Sequence, residues 1–370
     1  VSVSKGLEGV VALTSQISSI IDGVLTYRGY NIDELTEKAN FEETAFLLWK
    51  GHLPNREELA QLNKELSEEA VLPEAILAQL KTYPKSAHPM AALRTAVSAL
   101  GLYDDNPNDK TVEGNYKKAV SLTAKLPTIV AALYRMDKGL EPVAPHPEYG
   151  FAQNFVYMLH GEEPSAVAVE AIDKALILHA DHELNASTFA ARVTTATLTD
   201  LYSAVTAAIS ALKGPLHGGA NEQVMCTLEE IGSVDRAQEV IEKKLANKEK
   251  IMGFGHRVYK DGDPRAKHLR EMSRQLGDQT GDTKWYEMSI KIDEIVQAEK
   301  GLKPNVDFYS ASTYHYLGIP LSLFTPIFAI SRVTGWTAHI LEQYGDNRLI
   351  RPRAEYVGPT NQSYIPIDER

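Results

Sequence analysis

Four short runs of this chain place titratable residues where the backbone turns, and each has a chemical and a bland reading. In His179-Ala180-Asp181-His182-Glu183-Leu184-Asn185, two histidines at i, i+3 close an apolar helix and could clip a metal. The run lacks the His-Glu-x-x-His spacing of zinc hydrolases, and capping plus core hydrogen bonding is the simpler use. In Gly214-Pro215-Leu216-His217-Gly218-Gly219-Ala220-Asn221, glycines on both sides of a histidine let a ligand approach the backbone. A helix is expected to begin just after it, and a helix N-terminus disfavours imidazolium, leaving His217 a neutral hydrogen-bond donor. The bland alternative is a helix-start loop with an incidental histidine.

The third run is Gly253-Phe254-Gly255-His256-Arg257-Val258-Tyr259-Lys260-Asp261-Gly262-Asp263-Pro264-Arg265. Valine at 258 and the lack of a preceding βαβ strand exclude a dinucleotide fingerprint, and no Gly-Lys-Ser/Thr follows to make a phosphate loop. What it offers is a flexible turn with His256, three further basic residues and Pro264 opening a helix. Guanidinium and ammonium groups so placed suit carboxylates and phosphates; a solvated basic loop is the alternative. In Asn305-Val306-Asp307-Phe308-Tyr309-Ser310, a lone acid between Val and Phe is partly desolvated. That raises its pKa and suits a general base, although N-capping by Asp307 or Ser310 explains it equally well. Arg332 on an apolar helix needs a partner, and a bound carboxylate is one candidate. Arg351-Pro352-Arg353 adds two more cations near the end.

The elements that must position these residues are mostly helical. Asn40 with Glu43 and Asn55 with Glu58 are Asn-x-x-Glu start signals ahead of apolar residues at three- and four-residue spacing. Further helices are expected over 91–100, 151–159, 165–180, 187–212, 236–246, 264–276, 286–300 and 324–344. Strands are few: Gly9–Ala12 and Val24–Tyr27, with a hairpin around Asp22-Gly23. Breaks at Gly214-Pro215 and Leu317-Gly318-Ile319-Pro320 suggest a smaller domain, 220–312, inserted into a larger one made of 1–219 and 313–370.

Composition narrows the classes. With 38 Lys and Arg against 49 Asp and Glu, the 370 residues carry a formal charge of −11, which argues against non-specific binding to nucleic acid or an anionic membrane. The single cysteine, Cys226, rules out an intramolecular disulfide framework or a multi-cysteine metal site and fits a reducing compartment. The most apolar window, 319–330, is short and contains Pro320 and Pro326, so no membrane span is expected. The first residues lack the basic and apolar regions of a signal peptide, and a cytoplasmic enzyme is the expectation.

Taken together, GFGHRVYKDGDPR, HADHELN, GPLHGGAN, VDFYS (306–310), SRVTGW (331–336) and RPR (351–353) resemble the signatures of the citrate synthase family. The stretches GLEGVVALTSQISSIIDGVLTYRGYNIDEL and FEETAFLLWKGHLP are similar to it as well, so the likeness spans nearly the whole chain. The resemblance is to the shorter, dimeric bacterial or archaeal-type members. It implies a mostly α fold, a small domain closing over the active site, and a homodimer. It also implies roles. Asp307 would remove a methyl proton from acetyl-CoA, His217 would hydrogen-bond the thioester oxygen, and His256 would bond the oxaloacetate carbonyl and protonate it. His182, Arg265, Arg332 and, from the other subunit, Arg351 (or Arg353) would hold the two carboxylates. Gly253, Gly255, Arg257 and Lys260 are the candidates for CoA contacts. No metal or other cofactor is implied, CoA being a carrier that leaves as product. A 2-methylcitrate synthase using propionyl-CoA would carry the same motifs. A non-catalytic CoA-binding scaffold would have no use for Asp307, His217 and His256 together.

Overall fold

The computed structural model describes residues 4–370. A small antiparallel sheet opens the chain: β1 (Ser18–Ile21), β2 (Val24–Tyr27) and β3 (Tyr30–Asn31), in that order across the sheet. Asp22 and Gly23 both take positive φ, +50° and +76°, as a two-residue hairpin turn of this hand requires. The turn pairs Ile21 with Val24 and Ser18 with Tyr27. Gly9–Ala12, the expected first strand, is irregular, because a tight turn brings only the residues immediately before Asp22 into register.

Ten helices follow before the second glycine-rich run: α1 (Ile32–Lys38), α2 (Phe41–Lys50), α3 (Arg56–Glu69), α4 (Glu74–Lys81), α5 (Pro89–Leu100), α6 (Val112–Asp137), α7 (Phe151–His160), α8 (Ala166–His179), α9 (Ala186–Thr195) and α10 (Leu201–Leu212). Asn40 and Asn55 start α2 and α3 with complete capping boxes, each amide oxygen accepting from the backbone N–H of the glutamate three residues on, whose carboxylate answers the cap N–H. The single helix expected over 187–212 is two. Leu198 turns with φ +65°, and Asp200 caps α10 by accepting from the Ser203 N–H at 2.9 Å; the two helices then pack on each other. The sequence reading also passes over α6. Its residues from Asn115 to Ala132 are buried on nearly every face, so the polar stripe that betrays an amphipathic helix is missing, and Pro127 lies inside it.

Five helices come next: α11 (Ala220–Ile231), α12 (Val234–Ala246), α13 (Ala266–Thr280), α14 (Lys284–Lys300) and α15 (Val306–Tyr316). They pack chiefly among themselves, α13 on α15, α12 on α14 and α11 on α15, and touch the rest mainly through α13 on α8 and α11 on the last helix, α16 (Phe324–Gly345). Asp33 of α1 also reaches across, accepting from Lys267 Nζ at 2.5 Å and meeting His268 Nε2 at 2.6 Å. Helix α16 is the centre of the larger group, buried from Phe324 to Ile340 and packed on α2, α6, α8, α9 and α10. Beyond it the chain runs without α-helix or strand, and every residue from Arg351 to Arg370 is exposed. No helix among the described residues is long and apolar enough to cross a membrane.

Candidate active site

The HADHELN run leaves α8 and turns into α9. Asp181 anchors it: its buried carboxylate accepts from the Ser18 hydroxyl and lies 3.2 Å from His339 Nε2. Burial alone would raise its pKa, but His339, Arg332 and Ser18 hold it below the usual carboxylate value. The run is seated so closely on α16 that a Cβ at Gly335 would lie 2.3 Å from the Ala180 carbonyl and 2.4 Å from Asp181 Oδ1. Glycine is therefore required there for contact, with no need of unusual φ. Asn185 caps α9, its Oδ1 accepting from the Thr188 N–H at 3.2 Å.

His217 lies in the turn after α10. Its Nε2 sits 2.7 Å from Ser187 Oγ and accepts from the Ser187 N–H at 3.3 Å, while Trp336 Nε1–H donates to the same Oγ at 3.0 Å. An acceptor at Nε2 leaves the proton on Nδ1. A helix N-terminus does face this imidazole, as expected, but it is that of α9 and not of the following α11. Burial, with Arg332 nearby, lowers the His217 pKa to about 4, so the ring is a neutral donor at pH 7.

His256 and Asp307 are laced together by their backbones. Asn305 N–H donates to the Gly253 carbonyl at 2.8 Å, its side-chain amide donates to the Gly255 carbonyl at 2.9 Å, and its Oδ1 caps α15 by accepting from the Asp307 N–H at 3.0 Å. His256 Nδ1 accepts from the Val258 and Tyr259 N–H groups at 3.0 and 3.3 Å, which puts its proton on Nε2. Burial and Arg265 keep its pKa below the ordinary value. Asp307 is in the first turn of α15, and its Oδ1 is buried with no hydrogen-bond partner among the described residues. Burial pushes its pKa up to about 6 against the pull of Arg265 and Arg332, with Asp263 adding to the rise.

Two guanidiniums complete the wall. Arg265 gives Nε and Nη2 to the two oxygens of Asp263 at 2.9 and 2.8 Å, and Asp263 also receives the Val306 N–H at 3.0 Å. Among the described residues, one Arg265 nitrogen, Nη1, is left over. Arg332 gives Nε to the His179 carbonyl at 2.8 Å and lies over the Phe328 ring at 4.7 Å; among the described residues neither of its Nη groups has a hydrogen-bond partner. Burial lowers its pKa to about 10, still charged at neutral pH.

One cleft of about 770 Å³ collects His182, His217, His256, Asp307, Arg265, Arg332, Gly255 and Arg257. His182, His217 and Arg332 come from the larger helix group, and the others from the α11–α15 group. Not every expected residue reaches it. Gly253 is buried against α11 and α15, where a Cβ would meet Val224 Cγ2 at 2.8 Å and Phe308 Cβ at 2.9 Å, and its carbonyl is bonded to Asn305. Close packing and a left-handed φ of +86° both call for glycine there. Lys260 is exposed and off the cleft wall, and Arg351 and Arg353 lie on the exposed C-terminal segment, outside this chain's cleft. The metal-clip reading of His179 and His182 fails: His179 is fully buried with Nδ1 on the Ala175 carbonyl, and no metal-holding group of His, Cys, Asp and Glu occurs among the described residues. Sequence reasoning missed Ser187, Asp263, Trp336 and Tyr259, which orient the functional groups. Asp263, Tyr259 and Trp336 lie inside runs that carried a signal, while Ser187 carried none.

Neutral imidazoles with assigned donor nitrogens, a carboxyl poised near neutrality and half-used buried guanidiniums define an acid–base enzyme site for an anionic substrate. The family described as "Citrate synthase, C-terminal domain" matches residues 6–353. "Citrate synthase 2" of Bacillus subtilis is 63% identical over 368 residues, covering 99% of both chains. "Citrate synthase" of Haloferax volcanii is 50% identical, covering 99% of this chain and 98% of that one. A "2-methylcitrate synthase" of Mycobacterium tuberculosis is 45% identical, covering 96% of this chain and 91% of its own. Among solved structures, the ternary complex of carboxymethyl coenzyme A and oxaloacetate with citrate synthase from Thermoplasma acidophilum superposes with a TM-score of 0.95 at 34% identity, over 100% of both chains. The chain belongs to the citrate synthase family.

Proposed function

We propose that this protein condenses acetyl-CoA with oxaloacetate and water to give citrate and CoA. The observation that carries the reading is the buried Asp307 Oδ1, unpartnered among the described residues, in the same cleft as the His217 Nδ1–H donor and two half-used arginines. A thioester α-proton is a very weak acid, and a carboxylate alone removes it slowly. A hydrogen bond from a neutral His217 to the oxygen that gains charge lowers that barrier, one such donor being typically worth about 3–4 kcal/mol. Asp307 takes the methyl proton, and the enol carbon attacks the oxaloacetate carbonyl. His256, with its proton on Nε2, protonates that oxygen as it becomes the citrate hydroxyl. Hydrolysis of citryl-CoA then draws the sequence forward.

Oxaloacetate is a dianion, matched by Nη1 of Arg265, the two Nη groups of Arg332 and the His182 imidazole. Arg257 at the cleft wall and Lys260 beyond it are the candidates for CoA phosphates. The α11–α15 group is the smaller domain, and its movement against the rest would exclude water from the enol. A homodimer accounts for the exposed C-terminal segment and for Arg351, which would complete the site of the other subunit. Mixing Arg351→Ala and His256→Ala subunits tests this: random reassortment should restore about a quarter of the sites, and no recovery would remove the shared-site reading.

The existence of 2-methylcitrate synthases among the relatives supports one second reading, propionyl-CoA in place of acetyl-CoA. The two differ by one methylene, a discrimination of about 1–3 kcal/mol. Comparing kcat/KM for the two thioesters with oxaloacetate decides it. Acetyl-CoA should be preferred, and a preference for propionyl-CoA would overturn that choice.

A further inference from the structure

Arg257, Val258 and Lys260 face solvent, but Tyr259 between them is 3% exposed. Its ring lies 4.5 Å from that of His256 and 5.5 Å from that of His182, and its hydroxyl is 2.8 Å from His182 Nε2. The two imidazoles belong to opposite sides of the cleft. Tyr259 shares a backbone segment with His256, whose Nδ1 accepts its N–H, and its side chain reaches the other side at His182. Among the described residues the hydroxyl has no other partner, so its proton has one acceptor, His182 Nε2. The His182 proton is then left on Nδ1. Burial and the nearby Arg265 and Arg332 disfavour a second proton on that ring.

We infer that Tyr259 is a positioning residue for the dicarboxylate. Its hydroxyl fixes His182 as the Nδ1–H tautomer and ties the two sides of the cleft, acting on oxaloacetate binding and leaving proton abstraction to Asp307 and His217. This rests on the functional reading above. It also explains why a tyrosine is buried within an otherwise exposed basic stretch, since a hydroxyl is what the His182 ring requires there.

Tyr259→Phe keeps the ring and deletes only the hydroxyl. Long-range ¹H–¹⁵N spectra of histidine-labelled protein, with His182 assigned through His182→Asn, should show Nδ1 protonated in the wild type and a shifted tautomer balance in the variant. Calorimetry should show oxaloacetate binding weakened about tenfold, the worth of one good hydrogen bond, with kcat at saturating substrates changed by less than about twofold. An unchanged His182 tautomer overturns the inference, whatever the kinetics. A shifted tautomer with unchanged oxaloacetate affinity, or a fall in kcat equal to that in kcat/KM, overturns it while the functional reading stands. Failure of the wild-type protein to bind oxaloacetate removes the functional reading and this inference with it.

Discussion

Lowering the pH should switch off condensation through one group. Burial raises the Asp307 pKa to about 6, and a general base works only when ionised. At pH 5 about one carboxyl in ten is then ionised, so the rate should fall about tenfold from its neutral value and about tenfold again by pH 4. His217 does not add to this limb in its upper part, because burial brings its pKa down to about 4. Bound oxaloacetate adds negative charge beside Asp307 and moves the midpoint up, not down. Initial rates against acetyl-CoA concentration at saturating oxaloacetate should therefore give a kcat/KM limb of unit slope with its midpoint at about 6 or above. The raised pKa also has a stability sign. Above the unfolded value of 3.8 the unfolded chain ionises first, so stability falls as pH rises to about 6, by up to about 3 kcal/mol. Asp307→Asn should be inactive and, above pH 6, harder to unfold than the wild type. A midpoint near 4, a slope of two, or a variant destabilised at pH 8 would refute the burial argument.

Two further perturbations follow from the same geometry. Ser187→Ala leaves the buried Trp336 N–H without its acceptor and should lower stability by about 1–3 kcal/mol. It also removes one of the two groups orienting His217, so kcat should fall about tenfold with little change in oxaloacetate KM; a lowered melting temperature with unchanged kcat would limit Ser187 to a structural role. Asp173, whose Oδ1 accepts the Phe41 N–H at 3.0 Å, has its pKa raised to about 7 by burial and by Glu42. Wild-type stability should fall as pH rises from 3.8 to about 7, and Asp173→Asn, which keeps the acceptor, should recover up to about 4 kcal/mol at pH 8 and nothing below pH 4. A pH-independent difference in melting temperature would contradict it.

What was legible in the sequence is what depends on near neighbours along the chain. The Asn-x-x-Glu boxes at 40 and 55, the Asp22-Gly23 turn and the glycine-flanked histidines all signal through local backbone chemistry. The desolvation of Asp307 between Val306 and Phe308 was visible for the same reason. Contacts between distant residues were not. That the N-terminus of α9 faces His217, that Gly253 packs on Phe308, and that Tyr259 reaches His182 are products of tertiary packing. Helix α6 was hidden because it is buried all round, and the α9–α10 break because one left-handed residue, Leu198, interrupts an otherwise helical composition. The net charge of −11 says nothing of a local pocket, and the cleft concentrates Arg257, Arg265 and Arg332.

The central claim is that Asp307 removes a proton from a thioester held beside bound oxaloacetate. The most direct measurement pairs citrate formation by Asp307→Ala with calorimetric binding of oxaloacetate to the same variant. The account predicts condensation reduced by about 10²–10⁴-fold, the usual worth of a general base, with oxaloacetate still bound. Turnover near the wild-type rate would contradict it.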